Sequence, residues 1–152
     1  MVDQYIRYLN ERGVQVKDIA ECVYFLQEKY IEDLTIETCV EAVLSVLKKR
    51  EVQNAILTGV YLDKKAETDM EDKLLKEMLL DDHSLYGIDE VLAYGICNLY
   101  GSIALTNYGY IDKVKPGIIG ELNKKQARCH TFMDDIVGAI AASAASRIAH
   151  NR

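Results

Sequence analysis

The chain has 152 residues, a hydrophobic fraction of 49%, a charged fraction of 28% and a formal net charge of -6, proportions that suit one globular domain over residues 1–152 built on one core. The acidic balance argues against nucleic acid as a partner, because phosphates repel it, and limits contact with an anionic membrane surface to at most a peripheral one. No long polar or low-complexity tract points to disorder.

Apolar residues recur at helical spacing along nearly the whole chain, and no segment alternates with period two, so the expected class is all-α with no sheet. Ile6 and Leu9 mark a short first helix, with Gly13 as its expected C-terminal cap. Ile19, Cys22, Val23, Leu26 and Tyr30 form the stripe of a second. Thr35 can cap a third that buries Ile36, Cys39, Val40, Val43, Leu44 and Leu47. Val52, Ala55, Ile56, Gly59 and Val60 make a fourth. Met70, Leu74, Leu75, Met78 and Leu79 make a fifth, with charge on its other face.

The chemistry of the sequence changes near Ser84. The run from Ser84 through Tyr86-Gly87 to Asp89-Glu90 reads as a loop entering a helix that ends near Gly101. Residues 91–111 carry no charge and are long enough to span a bilayer. Their asparagines, hydroxyls and glycines favour a buried helix followed by an uncharged loop over a membrane span. That loop is expected around Thr106-Asn107-Tyr108-Gly109-Tyr110. Pro116 suits the first turn of a short helix containing Ile118, Ile119 and Leu122. Thr131 is the expected N-cap of the last helix, which has no charge from Ile136 to Ser146 and is apolar or small on every face. Such a helix is buried all round, so it should form the centre of a multihelical bundle with about five others around it.

The four cysteines (Cys22, Cys39, Cys97, Cys129) share neither zinc-type nor redox-type spacing. The first ten residues lack the basic segment and apolar run of a signal peptide. A reducing cytoplasm is the expected compartment, with the inner membrane face as the only membrane contact.

The sharpest chemical cluster is His130-Thr131-Phe132-Met133-Asp134-Asp135. Adjacent carboxylates at the start of a buried helix can hold a hard divalent cation against a phosphate. They can equally oppose the helix dipole, with Thr131 and Asp134 as a variant capping box. Burial of the pair would call for a counter-charge. Asp89-Glu90 opens another helix in the same manner, and two acidic helix starts that converge would make a metal site. Gly101, Gly109, Pro116 and Gly117 punctuate the segment between them, which also holds Ser102, Thr106, Asn107, Lys113 and Lys115 as groups able to contact a phosphate. From Asp112 to Arg128 five bases face two acids, which could draw in an anion or simply be a solvated surface. His83 and His150 read as surface residues, and no Ser-His-Asp or Cys-His order stands out.

Taken together, Gly101-Ser102, Pro116-Gly117 and Asp134-Asp135-Ile136-Val137-Gly138 resemble the pattern of the phosphatidylglycerophosphatase A family. The stretches Arg50–Gly59, Tyr86–Glu90, Thr106–Lys113 and His130–Phe132 are similar to its soluble Gram-positive, low-temperature-requirement C-like branch. The resemblance implies a helical bundle and a Mg²⁺-dependent phosphatase that removes the terminal phosphate of phosphatidylglycerophosphate. Asp134 and Asp135 would then be catalytic and hold the metal with Asp89 or Glu90, while Lys113, Lys115 or Ser102 position a phosphorylated small molecule or lipid headgroup. The chain departs from membrane-bound members in having charged amphipathic helices. A non-enzymatic helical homo-oligomer with a regulatory or ligand-binding role is the alternative, and a DNA-binding role is disfavoured by the acidic balance. A homo-oligomer is expected under either of the first two readings.

Overall fold

The computed structural model describes residues 2–81, 86–124 and 128–151; Lys125, His83, and Ser84 and Leu85 of the expected loop lie outside them. The described residues form helices and turns and no strand. In chain order the helices are α1 (Asp3–Glu11), α2 (Val16–Gln27), α3 (Ile36–Leu47), α4 (Arg50–Glu67), α5 (Lys73–Asp81), α6 (Ile88–Asn98), α7 (Ser102–Val114), α8 (Gly117–Asn123) and α9 (Met133–His150).

Local chemistry sets several of the boundaries. The Asp18 carboxylate accepts a hydrogen bond from the Gln15 N–H at 2.9 Å ahead of α2, and Thr35 Oγ1 accepts from the Thr38 N–H at 3.1 Å ahead of α3, each satisfying a free helix-end donor. Gly13, with φ +87°, turns the chain out of α1, as expected for a residue without a Cβ. Pro116 stands one position ahead of α8, as its N-cap.

Every residue of α9 from Met133 to Ser146 is buried. Around it pack α2, α3, α4, α6, α7 and α8, so the apolar last helix is the centre of the bundle. Its small residues permit this crowding. A Cβ on Gly59 of α4 would strike Cδ1 of Ile136 and lie 3.0 Å from Cβ of Phe132. The four cysteines are all reduced and buried, where they pack as small hydrophobes.

Two expectations are corrected. The segment expected as a loop around residues 106–110 is the middle of α7. Ala104, Tyr108 and Ile111 are its buried residues, and their spacing of four and three puts them on one face against α9. That burial overrides the weak helix propensities of Asn107 and Gly109. Thr131 does not cap α9 either. It is wholly buried and its hydroxyl donates to the Leu79 carbonyl. The cap is instead Asp63 of α4, whose carboxylate accepts from the Phe132 N–H at 3.1 Å and the Met133 N–H at 3.1 Å.

The directions of α6 and α7 follow from their contacts with α9. The Ser146 hydroxyl donates to the Tyr100 carbonyl at 3.2 Å, just before α7 begins, and Lys115, just after α7 ends, lies 3.9 Å from Asp134. Thus α7 runs antiparallel to α9. The start of α6 lies beside the start of α9, where Asp89 faces Asp135, and the Cys97 thiol near the end of α6 reaches the Ala139 carbonyl further along α9, so those two helices run parallel.

Candidate active site

Three helix ends meet at the N-terminus of α9. Asp134 and Asp135 occupy its first turn, Asp89 the first turn of α6, and Asp112 the last turn of α7. Asp89, Asp134 and Asp135 are buried, at 7%, 7% and 5% exposure, and Asp112 is half-buried. Asp89 and Asp135 face each other closely enough for one carboxyl to hydrogen-bond the other, and Asp134 Oδ1 accepts from the Asp135 N–H at 2.9 Å. One ammonium group joins them: Lys115 Nζ is 3.1 Å from Asp112 Oδ1 and 3.9 Å from Asp134 Oδ2.

The electrostatics are those of an acidic cluster short of positive charge. Burial raises the pKa of Asp134, opposed by Lys115 and reinforced by Asp112 and Asp89. Burial also raises Asp135, and the neighbouring charges of Asp134 and Asp89 raise it further. Asp134 and Asp135 therefore hold their protons more tightly than ordinary carboxyl groups, and a further cation beside them would favour their ionised forms.

The backbone at Lys115 is unusual. Its φ of 53° makes it the one non-glycine residue with positive φ among the described residues, a conformation that costs an L-residue roughly 1–2 kcal/mol. It is fixed from behind by α8, where a Cβ on Gly120 would lie only 2.7 Å from the Lys115 carbonyl oxygen. The strained turn aims the ammonium back at Asp112 and Asp134.

A second polar network anchors the chain entering α9. Arg12 pairs with Glu67 and donates to the Cys129 carbonyl at 2.7 Å, Glu67 accepts from the Cys129 N–H, and Asp63 holds the Phe132 and Met133 N–H groups. Burial pushes Asp63 up to about 7, against the pull of those two N–H groups and of Arg12. The position of Asp134 and Asp135 is therefore set from α1 and α4, elements remote in sequence.

The expected site residues divide clearly. Asp134, Asp135, Asp89 and Lys115 are brought together. Glu90 is exposed while its neighbour Asp89 is buried. Lys113 is exposed near the same end of α7. Asn107 is half-buried on α7, its amide nitrogen buried without a partner. Thr106 and Ser102 are exposed, and Ser102 begins α7 at the end opposite the carboxylates, about 20 Å away along a 13-residue helix. Asp112 and Tyr108 are buried or half-buried on the same face of α7 as the cluster and were not singled out from the sequence. Their spacing of four is the signal, and it is visible only once the segment is known to be helical.

A surface groove of about 1010 Å³ lies elsewhere, between α1 and α4, with Tyr8, Arg12, Tyr61 and Glu67 among its lining. Its charges are largely matched, Arg12 with Glu67, Lys64 with Glu11 and Lys65 with Asp69, so it has no comparable unmet demand for an ion. Among the described residues no three His, Cys, Asp or Glu side chains close into a ready-made metal cage. No helix among them is long and apolar enough to cross a membrane.

The family model of phosphatidylglycerophosphatase A matches residues 16–150. The chain belongs to the phosphatidylglycerophosphatase A family. All of the acidic cluster lies within the matched span. The chain is 62% identical to the uncharacterized protein YutG of Bacillus subtilis, over 93% of this chain and 86% of that one. Of solved structures, the low temperature requirement C protein from Listeria monocytogenes superposes with a TM-score of 0.95 at 54% identity, covering 99% of this chain and 95% of that one. A protein of unknown function from Bacillus stearothermophilus superposes with a TM-score of 0.97 at 58% identity, covering 99% and 94%. The resemblance read from the motifs to this family and its low-temperature-requirement C-like branch therefore holds, and so does the all-helical fold it implied.

Proposed function

We propose that this chain is a Mg²⁺-dependent phosphatase that hydrolyses a phosphate monoester, with phosphatidylglycerophosphate as substrate and phosphatidylglycerol as product. The observation that carries this reading is the cluster of buried Asp89, Asp134 and Asp135 and half-buried Asp112, with one ammonium beside Asp112 and Asp134, in a chain of this family. A phosphate dianion meeting four carboxylates would be repelled. Carboxylate oxygens are the ligand type a hard divalent cation takes, and a cation between the two sets of oxygens turns repulsion into attraction.

Asp134, Asp135 and Asp89 are the residues that would hold Mg²⁺, with Asp112 beside them. Once bound, the cation supplies charge to the phosphoryl oxygens and acidifies a water. Lys115, fixed in its strained turn, is placed to share its proton-rich end between Asp112, Asp134 and an incoming phosphoryl oxygen. Lys113 adds positive charge at the exposed rim. Asp63 keeps α9 seated so that the two adjacent carboxylates keep their geometry. A buried setting strengthens each of these interactions relative to water. Ser102, at the other end of α7, has no place in this mechanism.

The test is phosphate release from phosphatidylglycerophosphate in mixed micelles, with and without Mg²⁺, beside a soluble glycerol phosphate ester. Mg²⁺-dependent release from the lipid is the expected result. Release from the soluble ester alone would keep the phosphatase and discard the lipid, and no release from either would overturn the hydrolase reading.

A further inference from the structure

Tyr108 is 1% exposed, and its hydroxyl is buried without a hydrogen-bond partner. Such a group is costly, because a phenol loses its water on burial and here gains no full bond in exchange. Its surroundings show what it is aimed at. It lies one turn before Asp112 on α7 and beside Gly138, one turn after Asp135 on α9, within reach of a side-chain hydrogen bond to Asp135. The ring is locked from two sides. Tyr94 meets it edge-on with centroids 5.3 Å apart, and it packs flush on α9 where Gly138 has no side chain, a position whose Cβ would touch the ring at 3.5 Å. Packing has thus fixed a donor beside the carboxylate cluster.

We propose that Tyr108 is a positioning residue whose hydroxyl donates to the Asp135 carboxylate and so holds that carboxylate's remaining oxygen ready for a divalent cation. This rests on the cation reading given above. A carboxylate has two oxygens, so one can accept from the Tyr108 hydroxyl while the other is turned to a cation. Outer partners of this kind tune affinity without touching the ion.

The experiment is calorimetric titration of Mg²⁺ alone into the full chain, as wild type, Tyr108→Phe and Tyr94→Phe, with a melting curve of each cation-free protein. Tyr108→Phe is expected to bind Mg²⁺ roughly 10–100-fold more weakly while melting at or above the wild-type temperature, since it sheds an unpaired buried hydroxyl and keeps the ring. Tyr94→Phe, which changes an exposed residue, is expected to match wild type. Unchanged Mg²⁺ affinity in Tyr108→Phe would overturn the assignment, as would an equal loss in Tyr94→Phe. Absence of Mg²⁺ binding by the wild type would overturn the cation reading itself, a result distinct from the failure of Tyr108 alone.

Discussion

At the scale of single residues, the site depends on groups whose roles come from their surroundings. Asp63 shows this most clearly. Nothing near it in sequence marks it as a helix cap, yet it is wholly buried and holds the first N–H groups of α9. Asp63→Ala is expected to lower stability by about 2 kcal/mol, the upper range for loss of a cap, measured as a shift in the urea midpoint. A change within about 0.5 kcal/mol would contradict that role. Thr131 drew attention in the sequence because threonine is a good local cap, but a buried hydroxyl takes whatever acceptor is near, here the Leu79 carbonyl. Local patterns identified Asp134, Asp135 and Asp89 as candidates; they could not reveal Asp63, whose partner lies 69 residues along the chain.

At the scale of helices, apolar spacing located α2, α3 and α4, although Tyr30, expected on the stripe of α2, lies beyond its end and is exposed. That spacing failed for α7, because Asn107 and Gly109 are poor helix formers and the buried Tyr108 and Ile111 compete with exposed polar neighbours. The error had a cost beyond the fold, since Asp112 could not be placed on a face until its helix was recognised. Glycine substitutions test the packing directly. Gly59→Ala is expected to destabilise by roughly 1–3 kcal/mol, because the new Cβ collides with Ile136 and crowds Phe132 where α4 meets α9. Gly95→Ala in α6 and Gly109→Ala in α7 meet nothing within 4 Å and are expected to stabilise by roughly 0.5–1 kcal/mol through helix propensity. Urea unfolding of the three variants checks the contrast, and a stabilising Gly59→Ala would contradict the close approach.

At the scale of the whole molecule, the central position of α9 was legible because an uncharged helix of small residues has nowhere to go but the core. The consequence is that the fold is built around carboxyl groups it does not fully neutralise. Asp63, Asp134 and Asp135 all have pKa values raised above the ordinary carboxylate range. In the cation-free protein these groups hold protons that the unfolded chain releases near pH 4, so their contribution to stability is complete below that pH and is lost as pH rises toward and past 7. The melting temperature without divalent ions is therefore expected to fall between pH 5 and pH 8. Added Mg²⁺, which binds the ionised carboxylates, should raise it more at pH 8 than at pH 5. A melting temperature that rises over that range without Mg²⁺ would contradict this account. The measurement that tests the central claim most directly is Mg²⁺-dependent phosphate release from phosphatidylglycerophosphate by wild type, Asp134→Asn and Asp135→Asn. The account predicts release by the wild type and a fall of at least roughly a hundredfold in each variant, with the helical fold retained. Wild-type rates in both variants would contradict it.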